Sequence, residues 1–404
     1  MFKLDEVQGI FSSLPPAELA IEDVMLADAL GRIAAEDVFS SIDIPPSANS
    51  AMDGFAINYE DLLHQKNNTL RVSQRVPAGS IPTPLIPGTA ARIFTGAYLP
   101  EGADTVVIQE NCDHVQDVSG SKVVVLSKPI KGANIRPQGQ DITVGAKVVR
   151  KGQRLNAIDL SLLASVGKAS VGVFERLRVA IFSTGNELAE PGHKLNAGQI
   201  YNSNRPLLWA LCQQLGFVPV DCGIVEDTLP ATQYALKTAA SKAHLILSSG
   251  GVSVGEEDHV KPAIESLGKL EMWKVRIKPG KPVAYGSIDG SAFLGLPGNP
   301  VSSFVVFQLL TVPLMRALQG EETKHSQCYS VVAGFDKKIT TREEYVRVKI
   351  RREGGNLIAD RFPNLSSGVL SSLSWADGLV RHKIDCAISY GDPVDFFPFT
   401  EAML

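Results

Sequence analysis

Lys274, Arg276, Lys278 and Lys281 place four cations within eight residues, around Pro279-Gly280, in a chain that is acidic overall. On a strand, positions 274, 276 and 278 would face one way. Such a run is usually a solvated face. Next to loops suited to anions it could instead hold a phosphate or another oxyanion. Two such loops occur. Ser248-Ser249-Gly250-Gly251-Val252-Ser253-Val254-Gly255 follows an apolar run and reads either as an ordinary tight turn or as a cradle of backbone N–H groups and hydroxyls for phosphate oxygens. Leu296-Pro297-Gly298-Asn299-Pro300 leads into a helix, with Pro300 suited to its first position. That loop reads either as a rigid capped turn or as a helix N-terminus open to an anion.

Glu187, Asp227 and Asp258 lie in or just after the neighbouring loops. Carboxylates beside phosphate loops repel the ligand unless a cation intervenes. A hard divalent ion such as Mg²⁺, which bridges carboxylates to substrate phosphates, would resolve that repulsion. Asp227 and Asp258 also precede helices, where an Asp is a good N-cap.

These segments need a scaffold that gathers them. LRVAIFSTG, FVPVDCGIV and HLILSSGG read as strands, with helices over SNRPLLWALCQQLG, PATQYALKTAASKA and about Pro300 to Gln319. The alternation predicts a parallel, doubly wound α/β domain over 177–320. In such a sheet, ligands bind beyond the carboxyl ends of the strands, which puts Ser183-Thr184-Gly185-Asn186-Glu187, Glu226-Asp227 and the two anion-suited loops on one edge. Residues 41–135 change texture, with short apolar runs (FAINY, LRVSQRV, ARIFTG, DTVVIQE, KVVVLS) between Gly and Pro, as in a β-rich domain. Residues 1–40, where Leu4, Val7, Ile10 and Phe11 share a helical face, and 136–176, helical near 157–167, form a third, discontinuous region. After Gly320, CYSVVAGF, EYVRVKI, DCAISYG and PVDFF predict a small β-barrel or sandwich over 321–404.

Composition agrees with several domains. At roughly 150 residues per domain, 404 residues give about 2.7. Hydrophobic residues make up 44% and charged residues 20%, enough apolar surface for buried cores. The net charge of −4 argues against a general nucleic-acid binder. No apolar run approaches the ~20 residues that span a bilayer. The N-terminal MFKLDEVQGIF lacks a signal-peptide core. Five scattered cysteines with no CxxC pair fit a reduced, cytoplasmic protein, not a disulfide framework or a cysteine zinc site. P-loop and GxGxxG signatures are missing, which disfavours nucleotide kinases and nicotinamide enzymes.

In order along the chain, SAMDGFA (50–56), RIFTGAYLPEGADTVVIQE (92–110), NIRPQGQD (134–141), STGNEL (183–188), YNSN (201–204), SGGVSVGEED (249–258), KVRIKPGKP (274–282) and LGLPGNPVSS (294–303) resemble the molybdopterin molybdenumtransferases, the MoeA family, which includes the gephyrin E domain. The resemblance runs over essentially the whole chain. It implies an elongated multidomain α/β-plus-β protein, with a molybdopterin-binding-like α/β domain, a β-rich insert and a C-terminal β-barrel. It implies a Mg²⁺-dependent homodimer whose active sites form between subunits, taking adenylylated molybdopterin and molybdate and releasing AMP. Other cofactor-biosynthesis proteins and apo-molybdoenzymes would be partners. Carried over residue by residue, it implies functional roles for Asp53, Asp141, Glu187, Asp227, Asp258, Lys274 and Lys278, with Glu187, Asp227 and Asp258 toward the metal. Thr95, Ser249, Gly250, Gly251, Ser253, Lys281, Pro297, Gly298, Asn299 and Pro300 would contact the pterin substrate. The chain departs from the family at Ala48, Gln140 and Asn186, where relatives often carry acids. Two alternatives stand beside this expectation. One is a molybdopterin adenylyltransferase, whose GGTG-type loop differs from Gly250-Gly251-Val252-Ser253. The other is a non-catalytic scaffold like the gephyrin E domain.

Overall fold

A computed structural model describes residues 1–117, 120–252, 259–322 and 328–399. Residues 177–320 form an α/β domain built around the strand Arg178–Thr184, which is buried along nearly its whole length. Its residues alternate between two cores. Val179 and Ile181 face a cluster with Leu208, Leu211 and Phe304, while Ala180 and Phe182 face one with Leu236, Ala263 and Ile264. Leu245, Leu247 and Ile246 divide in the same way. Apolar side chains on both faces are what a sheet covered by helices on both sides requires. The strand order is Val218–Val225, Arg178–Thr184, Leu245–Ser249 and Ser291–Leu296, all parallel, followed by antiparallel Ala284–Ile288 and Gly268–Trp273. The chain therefore leaves Arg178–Thr184 toward one side for the next strand and toward the other for the third. This reversal opens a crevice at the carboxyl ends of Arg178–Thr184 and Leu245–Ser249.

The expected long helix runs Pro300–Leu318, with a wider turn at Phe307–Thr311 before Pro313. Proline cannot donate to a regular helical ladder, and the wider turn absorbs the missing bond. By length and mean hydropathy (1.6) this helix could cross a membrane, which corrects the reading that no apolar segment approaches that length. Its window is 72% buried in the α/β core, so here it serves as a core helix.

In the β-rich domain, Thr105–Ile108, Gly54–Ile57, Thr89–Ile93, Thr69–Val76, Gly120–Val125 and Cys112–Asp117 form one six-stranded sheet in that order. Cys112–Asp117 was not expected as a strand, because CDHVQD carries little apolar content. In the discontinuous region, Ile21–Met25 pairs with Ser170–Phe174 and Val38–Phe39 with Lys147–Val149, around a small core that includes Val38, Leu163 and Val173. The first helix, Leu4–Ser12, does not join that core. Leu4, Val7 and Phe11 pack into the α/β domain, whereas Ile10, expected on the same face, is 38% exposed.

At the C-terminus, Glu343–Glu353, Asn356–Arg361, Tyr329–Ala333, Pro393–Pro398 and Gly378–His382 pair in a ring that closes into a five-stranded barrel. DCAISYG, expected as a strand, is a loop with one isolated bridge at Ile388. The strands Asn356–Arg361 and Gly378–His382 take its place. The first of them is set by Gly354-Gly355, both at positive φ (57° and 84°), the two-residue turn that a tight hairpin demands.

Candidate active site

Three loops meet at the switch-point crevice, and glycines permit their close approach. Gly250, at φ +94°, donates its N–H to the Leu296 carbonyl at 3.1 Å. A Cβ on Gly250 would stand 2.7 Å from the Thr184 carbonyl oxygen, and one on Gly298 would stand 3.8 Å from the Gly250 Cα. Gly251, at φ +67°, leaves no room for a Cβ against Val260 and the Thr184 hydroxyl. The Ser249, Gly250-Gly251 and Pro297-Gly298-Asn299-Pro300 segments thus share one small volume at the sheet edge. Asn299 caps the long helix in extended conformation with Pro300 just inside it, and its side chain makes no capping bond, so the first turn's N–H groups are not closed off by it.

Asn204 ties these loops together. Its amide donates to the Ser249 hydroxyl at 2.8 Å and to the Gly298 carbonyl at 2.7 Å, and the residue is 7% exposed. Asn204 was not singled out as a site residue, although it closes the YNSN segment. Among the described residues, the buried hydroxyls of Thr184 and Ser248 have no partner. Buried polar groups are normally paired, so unpaired ones at a ligand edge are consistent with donors and acceptors held for a bound molecule. Ser253 and Asp258 lie outside the described residues.

The basic segment differs from expectation. It is not one strand: Gly268–Trp273 ends before Lys274, which sits at φ +77°, and Ile277–Lys278 is a separate two-residue strand on the barrel sheet. The four cations therefore do not share a strand face. Arg276 donates from Nε to the Thr341 carbonyl at 2.9 Å. Lys278 pairs with Glu344 at 3.4 Å, a buried carboxylate shared with Lys337 at 3.0 Å. Among the described residues, neither Lys274 nor Lys281 has an ion-pair partner. They are the cations left to meet a ligand anion.

Glu187 and Asp227 are both at this edge. The Glu187 carboxylate turns back over Gly185, where a Cβ would stand 2.6 Å from its Oε2. The Asp227 N–H donates to the Asn186 side chain at 3.4 Å, which brings the two loops together. Asp227 is not the cap of the following helix. Thr228 is, accepting from the Ala231 N–H. Among the described residues no group of three His, Cys, Asp or Glu side chains could hold a metal. Two adjacent acidic loops fit a Mg²⁺ that keeps waters and is completed by substrate phosphates, which is how this ion usually binds.

Asp53 belongs to the β-rich domain. The Thr95 N–H donates to its Oδ1 at 2.7 Å and the Thr95 hydroxyl donates to the same oxygen at 2.9 Å. These two bonds, the N–H first, hold the Asp53 carboxyl below its ordinary range, with Arg92 adding charge. Thr95, expected to contact the pterin substrate, thus serves Asp53 directly. Replacing Thr95 by Val removes one donor to the carboxylate, so Asp53 in Thr95→Val should titrate at higher pH than in the wild type, read by NMR of its carboxyl carbon. An unchanged titration would mean that the hydroxyl bond is unimportant in solution. Asp141 lies on the exposed segment that returns from this domain, its N–H donating to the Ile44 carbonyl at 2.9 Å. No contact joins Asp53 or Asp141 to the α/β edge among the described residues.

The buried cysteines are poor nucleophiles. All five are free, and burial pushes the Cys212 thiol up to about 12 and the Cys112 thiol to about 11, far from the thiolate a reaction would need.

A switch-point crevice with a double-glycine turn, a Pro-Gly-Asn-Pro helix start and adjacent acids, in a chain with a β-rich insert and a terminal barrel, defines a MoeA-type protein. Residues 3–167 match the MoeA N-terminal region (domain I and II), 180–317 a probable molybdopterin binding domain, and 336–399 the MoeA C-terminal region (domain IV). The chain belongs to the molybdopterin molybdenumtransferase (MoeA) family. It is 39% identical over 350 residues to the molybdopterin molybdenumtransferase of Haemophilus influenzae, covering 86% of this chain and 85% of that one. It is 32% identical over 365 residues to that of Bacillus subtilis, covering 89% and 85%. Its fold matches the molybdopterin biosynthesis MoeA protein of Pyrococcus horikoshii with a TM-score of 0.84 at 27% identity, over 98% of this chain and 100% of the other.

Proposed function

We propose that the chain inserts molybdenum from molybdate into adenylylated molybdopterin, releasing AMP. The observation that carries this reading is the convergence of Ser249, Gly250, Gly298 and Asn204 on one crevice, in a chain that matches the N-terminal, molybdopterin-binding and C-terminal regions of the family. The crevice would take the phosphates and the pterin. Lys274 and Lys281 would take an oxyanion, and Lys278, held by Glu344, would contribute charge from the barrel side.

Glu187 and Asp227 would hold a Mg²⁺ against the phosphates, with Asp258 as the third acid that the family resemblance implies. When bound, that ion supplies Lewis-acid polarisation of the phosphoanhydride. The protein's own part is positioning and charge. The loop N–H groups fix the phosphates, the lysines hold anions close to one another against their mutual repulsion, and Asn204 keeps the two glycine loops in register. No covalent protein intermediate is required.

Asp53 is half-buried and Asp141 exposed, and both lie on segments other than the crevice. That placement favours a site completed by a second copy of the chain, whose β-rich domain would bring Asp53, oriented by Thr95, over the crevice. We therefore propose a homodimer. The unpaired cysteines support a reducing, cytoplasmic setting. The reaction is tested by AMP release from adenylylated molybdopterin on addition of molybdate, with and without a chelator. The proposal expects molybdate-dependent release that chelation abolishes and Mg²⁺ restores. ATP-dependent adenylylation of free molybdopterin would point instead to an adenylyltransferase, and inertness in both assays to a scaffold. In the same assay Asp53→Ala should remain folded and lose roughly 100-fold in rate, as misplacement at a positioned site does. Full activity of that variant would remove Asp53 from the site.

A further inference from the structure

Away from the crevice, three arginines converge where the N-terminal region meets the α/β domain. Arg32, Arg154 and Arg176 line one small, solvent-open recess with Phe174, Gly216 and Gln319. A Cβ on Gly216 would stand 3.4 Å from Arg176 Nη1 and 3.8 Å from Arg154 Nη1, so both guanidiniums reach the same point. Their charge is incompletely balanced. Arg32 is paired with Glu22 and donates to the Phe174 carbonyl at 2.9 Å, but its Nε is buried without a partner among the described residues. Arg154 is paired with Glu321 at 2.7 Å, which is shared with Arg316 at 3.7 Å, and its Nη1 donates to the Gly31 carbonyl at 2.8 Å and the Leu215 carbonyl at 3.4 Å, so Arg176 is the guanidinium with donors left over. Arg176 donates to the Gly216 carbonyl at 2.9 Å and has no acidic partner among the described residues. Burial and then the charge of Arg32, with Arg154 adding to it and Glu22 opposing, hold its ionisation below the ordinary arginine range. Gln319 cannot compensate, because its side chain is occupied by the Leu177 N–H and the Glu175 carbonyl.

A cluster of guanidiniums with too few carboxylates is a poor structural device and a good anion receptor. Arginine presents planar forks of N–H donors that match tetrahedral oxyanions, and such charge-assisted bonds are the strong ones. We propose that this junction binds a small tetrahedral oxyanion of the phosphate or sulfate class, which ties the N-terminal region to the α/β domain. Arg32 and Arg154 come from one side of the junction, and Gly216 and Gln319 from the other. The site is independent of the reaction proposed above.

The probe is inorganic phosphate, read by calorimetric titration and by the thermal unfolding midpoint of the full chain, with sodium chloride at matched ionic strength as reference. A ligand that binds only the folded protein raises the midpoint with its concentration. The wild type and Lys281→Gln, altered at the crevice, should both show a phosphate-dependent rise that chloride does not reproduce. Arg176→Gln, at an exposed position, should keep its phosphate-free midpoint and lose at least tenfold in the affinity of this event. Sulfate should substitute for phosphate, as recognition by charge and shape requires. The proposal is overturned if Arg176→Gln binds phosphate as the wild type does, if the loss appears in Lys281→Gln instead, or if chloride raises the midpoint equally. Should Arg176→Gln lower the phosphate-free midpoint, Arg176→Lys decides. It retains charge but not the fork, and an unchanged phosphate affinity there would overturn recognition by the fork.

Discussion

Gly250→Ala should abolish most molybdenum insertion while leaving the secondary structure intact. At φ +94° a side chain is strained in any surroundings, and here the new Cβ would lie 2.7 Å from the Thr184 carbonyl oxygen and 3.2 Å from its hydroxyl. Neither is the far end of a flexible chain, so the loop after Leu245–Ser249 must move. The left-handed backbone costs about 1–2 kcal/mol. Displacement of the loop adds to that, and the total should be about 2–4 kcal/mol, within the range of severe single substitutions. The effect on rate should be larger in proportion, because an error of about 1 Å in a positioned site costs roughly 100-fold. Gly198→Ala is the control. It also has positive φ (84°), but its Cβ would meet nothing within 4 Å. That variant should lose about 1 kcal/mol in denaturant unfolding and keep its rate. Equal effects at the two positions would mean that backbone strain, not close approach at the crevice, is what Gly250 supplies.

The second large effect is expected at Asn204. Its amide is the only described side-chain donor to both Ser249 and Gly298, and it works in a buried setting. In Asn204→Ala the Ser249 hydroxyl and the Gly298 carbonyl each lose a partner. A buried group left unsatisfied costs about 1–3 kcal/mol, and of the two only Ser249 is buried, so the change should cost about 1–3 kcal/mol in unfolding free energy. The loops also lose their cross-tie. Insertion should therefore fall through both rate and pterin affinity, measured as kcat and KM with adenylylated molybdopterin. If stability falls and both kinetic constants stay, Asn204 is structural only.

Much of this arrangement was legible in the chain, for a physical reason. The three parallel strands LRVAIFSTG, FVPVDCGIV and HLILSSGG are apolar runs ended by small residues, and burial on both faces makes such runs hard to mistake. Once they are parallel, the fold rule sends their following loops to one edge, so Ser249, Gly250, Gly298 and Glu187 could be grouped without coordinates. Asn204 could not. Its partners are 45 and 94 residues away in sequence, and an Asn at the start of a helix has an ordinary local explanation. The basic segment was misread because a strand was drawn through Lys274, whose positive φ breaks it, and because the carboxylate that holds Lys278 lies on the barrel, at Glu344. The barrel strands were partly missed for a related reason. Short strands such as Gly378–His382 take their stability from their neighbours in the ring, and little of that shows in five residues. The three-arginine junction was invisible too, since Arg32, Arg154 and Arg176 are scattered along the chain and meet through the fold alone.

The most direct test of the central claim is an anaerobic incubation of the full chain with adenylylated molybdopterin, Mg²⁺ and molybdate, followed by transfer of the product to an apo-molybdoenzyme. The account predicts stoichiometric AMP release and recovery of molybdoenzyme activity, both lost in Gly250→Ala and retained in Gly198→Ala. Release of AMP without reconstitution, or reconstitution that proceeds equally well without the protein, would contradict it.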